Sequence, residues 1–128
     1  MNVLLDTHAF LWFDSGDKQL SNQARSLIEN TENTNYVSMA SIWEIAIKLN
    51  IGKLELSRPF EDFLTESLDG NGFEVLPIKR EHSIRLVSMP LHHRDPFDRM
   101  LVAQSLSENM PIISVDLVFD EYGVNRLW

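Results

Sequence analysis

Short apolar runs recur along this chain, and a helix-length segment separates each from the next. Val3-Leu4-Leu5, Tyr36-Val37, Phe73 to Ile78, Pro111 to Val115 and Val124 to Trp128 read as strands. Hairpins join strands through roughly two to five residues, and every connection here is longer. Strands joined that way run parallel, through crossovers that cover both faces of the sheet. The class is therefore α/β, with a central, mostly parallel sheet. Ligands in such folds gather beyond the carboxyl ends of the strands, so the residues that follow each run carry the most information about chemistry.

The connecting segments read as helices. His8 to Phe13 continues from the first strand, and Ser21 can cap a helix whose apolar positions are Ala24, Leu27 and Ile28, spaced three and four apart. Ser41 to Asn50 reads as a helix closed by Gly52, glycine being favoured just past a helix end. Phe60, Phe63, Leu64 and Leu68 form one apolar stripe that stops at Gly70-Asn71-Gly72. Glu81 to Val87 is a short helix ended before Pro90, and Pro96 opens another that runs to about Asn109. There is no repeat, linker or low-complexity tract, so residues 1–128 read as a single domain.

Four acids stand at informative places. Asp6 follows the first strand and Asp116 the fourth, which puts both at one edge of the sheet if both strands are parallel. Each also has a bland role: Asp6 as a helix cap, which Thr7 could equally supply, and Asp116 as a turn residue. Glu44 sits among Ile42, Trp43, Ile45, Ala46, Ile47 and Leu49, where a carboxylate loses hydration worth several kcal/mol unless it is paired or bound to a metal. Its alternative is a capping box, Ser41-x-x-Glu44, with Lys48 one turn on as a salt partner. In "HHRDPFDRML", Asp95 directly before Pro96 is placed to be an N-cap. That leaves Asp98 in the first turn free for other work, although the helix dipole also favours an acid there. His82, His92 and His93 have no partner at ligand spacing and read as surface or packing residues. His8, close to Asp6, stays open. Arg94 and Arg99 suit either phosphate steering or neutralisation of Asp95 and Asp98.

The net charge is −8, from 19 acids against 11 lysines and arginines. That balance argues against coating nucleic acid through a broad basic face. It leaves room for a nuclease, because an acid cluster reverses its local field on binding divalent cations. With no cysteine, thiol nucleophiles, disulfides and thiolate metal sites are excluded. No window approaches the roughly 18 apolar residues of a membrane span, and no leader opens the chain, so a cytoplasmic location with no membrane partner is expected.

"LLDTHAFLW", "SMASIWEIAIKLNIGKLEL", "PLHHRDPFDRMLVAQSL" and "PIISVDLVFDEYGV", in this order and spanning essentially the whole chain, resemble the PIN-domain nucleases. Among these the resemblance is to VapC-type toxins of bacterial toxin–antitoxin pairs. It implies a three-layer α/β/α sandwich and an acidic pocket that holds Mg²⁺ or Mn²⁺. Asp6, Glu44, Asp98 and Asp116 match the family's four acids, as metal ligands and catalytic residues. Ser114 stands where the family often has threonine. Asp95 and Asp120 lie near the site outside those positions.

The resemblance further implies an endoribonuclease that hydrolyses RNA to a 5′-phosphate and a 3′-hydroxyl, restrained by a cognate antitoxin that a net charge of −8 would suit if basic. A homodimer through an apolar patch near the third helix is expected. Lys48, Lys53, Arg94, Arg99 and Ser114 are candidate substrate contacts. The competing reading is a catalytically silent module of the same fold that binds RNA or a partner. A haloacid-dehalogenase-type phosphatase would need an aspartate where His8 stands, and a receiver domain would need one ending the third strand.

Overall fold

The computed structural model describes all 128 residues. Asn2–Leu5 forms β1 and Thr7–Ser15 forms α1. Then come α2 (Asn22–Glu29), β2 (Thr34–Ser38), α3 (Met39–Asn50) and α4 (Phe60–Ser67). The remainder is β3 (Glu74–Leu76), α5 (Arg80–Val87), α6 (Pro96–Glu108), β4 (Ile112–Ile113) and β5 (Arg126–Leu127). Two 3-10 turns, at Asp69–Asn71 and Leu117–Tyr122, connect them.

The five strands form one sheet in the order β3-β2-β1-β4-β5, and all four pairings are parallel. Alternation along each strand distributes the apolar side chains between two faces. Val3, Leu5, Val37 and Ile113 join Phe10, Ile28, Ile45 and Phe63 on the side covered by α1 to α4. Leu4, Leu76 and Ile112 meet Leu101, Val102 and Phe119 on the other. The result is the expected α/β/α sandwich. Phe10 and Phe63 are fully buried, each worth about 2–3 kcal/mol in removed apolar surface. No helix is long and apolar enough to cross a membrane.

Several boundaries differ from the sequence reading, each for a local reason. The third helix begins at Met39 rather than Ser41, because the chain turns from β2 into α3 with no loop. Ser38 is the cap, its hydroxyl oxygen accepting from the Ala40 amide at 3.0 Å. The Ser41–Glu44 capping box therefore does not form, and Ser41 is buried inside the helix. The second strand is longer than Tyr36-Val37, since β1 pairs with residues from Thr34 onward. The third and fourth strands are shorter, because β2 ends at Ser38 opposite Leu76 and β1 ends at Leu5 opposite Ile113. Gly52 does close α3, at φ +74°, a left-handed conformation that suits glycine.

Candidate active site

The strand order reverses direction of growth between β1 and β4: β2 and β3 are added on one side of β1, β4 and β5 on the other. A crevice opens at such a switch point beyond the carboxyl ends of the strands. Asp6 is the residue after β1, and Asp116 follows β4 by three residues, so both sit at that crevice. α3 and α6 bring Glu44 and Asp98 to it from the two helical layers.

Asp6 serves as N-cap of α1, its Oδ1 accepting from the Ala9 amide at 2.8 Å. It is only 5% exposed, and burial raises its pKa, opposed by the Ser114 hydroxyl and the Ala9 amide. The cap and the site are thus compatible roles of one side chain. Glu44 is 3% exposed. Its Oε1 accepts from the Thr7 hydroxyl at 2.8 Å and its Oε2 from Lys48 Nζ at 2.7 Å. Thr7 has one hydroxyl proton, which goes to the carboxylate, so its contact with Ser41 Oγ at 2.9 Å is one in which Ser41 donates.

Asp98 has a strongly perturbed carboxyl. Its pKa is raised to about 8, first by burial and then by the negative charges of Asp95, Asp6, Glu44 and Asp116. That ordering is itself a statement of convergence: four other acids lie close enough to act on one. Asp95 caps α6, accepting from the Phe97 and Asp98 amides, with Pro96 at the first helical position as expected. Asp116 is fixed at both oxygens, by the Val118 amide at 3.0 Å and by His93 Nε2 at 3.0 Å.

His93 corrects the sequence reading. It is neither a surface nor a simple packing residue: its Nε2 also lies 3.1 Å from Asp98 Oδ2, between the third and fourth acids. Its partner Asp116 is 23 residues away, so local spacing could not reveal it. Thr7 was likewise legible only as an alternative cap. His82 is packed as expected, fully buried against Glu108, and His92 is exposed with its ring 5.0 Å from Tyr122.

The expected substrate contacts divide. Lys48 and Lys53 line a groove of about 420 Å³ beside the crevice, with Thr7, His8, Trp12 and Arg58 on its other walls. Arg94 is exposed. Arg99 points elsewhere: it donates to the carbonyls of Pro90 and Met89 and to the Tyr122 hydroxyl, so it holds the loop before α6 rather than facing the crevice. Ser114 is fully buried and accepts from the Asp116 amide at 3.0 Å, so it organises the acids from beneath. Asp120 pairs with Arg126.

The donor set suits a hard divalent cation. It is rich in carboxylate oxygen, and no lysine or arginine pairs with Asp6, Asp98 or Asp116. Nearby like charges are held together with one proton retained near neutrality, a repulsion that a bound cation relieves.

Against known proteins, this architecture has clear relatives. FitAB bound to the IR36 DNA fragment contains a chain that superposes with a TM-score of 0.69 at 14% identity, over 98% of this chain and 93% of that one. VapBC2 from Rickettsia felis, bound to a DNA fragment from its promoter, gives 0.69 at 11%, over 99% and 98%. VapBC-5 from Mycobacterium tuberculosis, a member of the VapBC family of toxin–antitoxin systems, gives 0.61 at 14%, over 98% and 95%. At these identities the likeness speaks for the fold. No curated protein sequence matches the chain. A family model does, that of the PIN domain, and it aligns with residues 3–125, taking in both aspartates at the switch point and the two helices that supply the other acids; the chain belongs to the PIN domain family.

Proposed function

We propose that this protein is a Mg²⁺- or Mn²⁺-dependent endoribonuclease that acts as the toxin of a toxin–antitoxin pair. The observation that carries the reading is the convergence of Asp6, Glu44, Asp98 and Asp116 on one crevice, with Asp98 holding its proton to about pH 8. PIN domains are generally nucleases that use divalent metals, which supports the reaction class. Structural neighbours that are toxin–antitoxin complexes support the biological setting.

A divalent cation, when bound, lowers the pKa of water and draws charge from the attacked phosphate. Asp6 and Asp98 would hold the principal ion, with Glu44 and Asp116 completing the acidic wall. Thr7 and Lys48 keep both Glu44 oxygens in place, so that carboxylate does not wander on turnover. Asp98 would give up the proton it otherwise holds to serve as a ligand, and the proton shed by the attacking water passes to bulk water. The water oxygen forms the new bond to phosphorus, the bond to the 3′ oxygen breaks, and that oxygen takes a proton to leave as a hydroxyl opposite a 5′-phosphate. Lys53, on the groove wall, and the exposed Arg94 would meet the flanking phosphates. The exposed Trp43 beside Phe97 offers the apolar patch through which a second copy would pair, and a basic antitoxin segment would suit the acidic crevice.

The test is expression of the chain alone beside Asp6→Asn, with mapping of RNA ends in cells and for the purified protein with Mg²⁺. Growth arrest and 5′-phosphate ends from the native chain only are expected. Two equally harmless proteins and intact RNA would instead favour the silent binding module, for which the Lys48–Glu44 pair serves as internal neutralisation.

A further inference from the structure

His93 has its Nε2 within 4.8 Å of donor oxygens on both Asp98 and Asp116, a spacing at which three side chains can share a metal ion. Hydrogen-bond chemistry assigns it another part. The backbone amide of Asp95 donates to His93 Nδ1 at 3.1 Å. An amide N–H cannot accept, so Nδ1 carries the lone pair and the neutral ring has its proton on Nε2. A histidine that ligates through Nε2 needs that nitrogen bare and normally donates from the other. Here the other nitrogen faces a donor. His93 is therefore built to give a hydrogen bond towards the acids, and Asp116 Oδ2 receives it at 3.0 Å.

The backbone that carries the ring is tied down on several sides. The His93 amide donates to the Tyr122 hydroxyl at 2.7 Å, and the same oxygen meets the His92 amide at 3.0 Å and Arg99 Nη1 at 3.1 Å. Arg99 also grips the Pro90 carbonyl at 2.9 Å, and Phe119 lies 6.0 Å from the imidazole, ring to ring. An exposed loop would not need three such ties.

We infer that His93 is a positioning residue that donates its Nε2 proton to Asp116, beside Asp98, and is not itself a metal ligand. This rests on the metal-dependent reading of the same crevice. With Asp116 Oδ1 on the Val118 amide and Oδ2 on His93, the carboxylate plane is set before any ion arrives. The cation then meets an all-oxygen set, a preference Mg²⁺ shares.

The experiment uses Mn²⁺ as probe, with binding followed by its paramagnetic resonance and by electron spin-echo modulation, in the native chain, His93→Gln and His93→Leu. Glutamine places an amide N–H near the position of Nε2, whereas leucine offers no donor. The native chain should bind Mn²⁺ with no modulation from a coordinated imidazole nitrogen. His93→Gln should bind within about threefold of it, and His93→Leu about tenfold or more weakly, the usual cost of losing such a partner. A coordinated-nitrogen signal in the native chain overturns the inference, and this readout needs no variant to fold. Undiminished binding by His93→Leu also overturns it. Failure of the native chain to bind Mn²⁺ at all removes the metal reading together with the inference, an outcome distinct from either of the others.

Discussion

The hydroxyl of Thr7, the first residue of α1, donates to Glu44 Oε1 of α3 across 2.8 Å in a buried setting. Neighbouring Asp6 belongs to the same turn, so one dipeptide presents the first acid and fixes the second. Thr7→Val keeps the shape and removes the donor. It should destabilise the protein by about 1–3 kcal/mol, the cost of leaving a buried acceptor short of a partner, and weaken Mn²⁺ binding, while Thr7→Ser restores both. Urea unfolding in chelator, paired with calorimetric titration of Mn²⁺, measures the two effects separately. Equal metal affinity for all three proteins would show that Glu44 does not depend on this contact.

What the sequence disclosed and what it withheld follow one physical line. Asp6, Asp116 and the Asp95–Pro96–Asp98 arrangement were readable because strand ends and helix starts are local features. The burial of Glu44 was readable because its helix is apolar nearly all round. The tasks of His93 and Arg99 were not, since both depend on Tyr122, and His93 also on Asp116, residues brought near only when β4 lies beside β1. Ser38 was missed as a cap because a strand that turns directly into a helix leaves no polar loop to announce it.

Asp98 gives the metal-free protein a pH dependence of definite sign. Its folded pKa is raised from 3.8 to about 8, so between those values the folded chain holds a proton that the unfolded chain has released. Stability of the metal-free protein due to this group therefore falls as pH rises through that window. Asp98→Asn removes the conflict. In chelator its Tm should exceed that of the native chain by roughly 5 °C at pH 8, a shift of the size one kcal/mol gives, and the two should converge near pH 4. Added Mg²⁺ should raise the Tm of the native chain alone. A constant Tm gap across the pH range would contradict the account.

Arg94 and Arg99 lie five residues apart and should fail differently. Arg99 holds the Pro90 and Met89 carbonyls and the Tyr122 hydroxyl, whereas Arg94 is exposed. Arg99→Ala should cost about 1–3 kcal/mol of stability, as charge-assisted hydrogen bonds to the backbone are lost. Arg94→Ala should leave Tm within a degree or so, since isolated surface charges contribute little, yet raise KM for an RNA oligonucleotide with kcat little changed. The contrast appears in unfolding curves and steady-state kinetics run on the same preparations. Loss of kcat in Arg94→Ala without a change in KM would place it at the reacting phosphate instead.

Trp43 is 59% exposed although it lies on the same helix as Glu44, with its ring 5.4 Å from Phe97 and edge-on to it. Met39 and Ile78 are also more than one-third exposed, and an apolar cleft of about 260 Å³ lies between α3 and α6, lined by Ala40, Trp43, Ile78, Leu86, Pro96, Phe97 and Met100. A large aromatic side chain left in water beside such a cleft is where association gains most, because its burial removes much apolar surface at little cost in side-chain freedom. If a second copy covers this patch, Trp43→Glu should give a monomer in sedimentation velocity at concentrations where the native chain is a dimer. Its Tm at low concentration should be close to that of the native chain, since the indole contributes little to the monomer's own core. Phe97 immediately precedes Asp98, so a second copy on this patch would come within one residue of the acidic crevice. A monomeric native chain, or a dimer that survives Trp43→Glu, would assign this surface to a different partner.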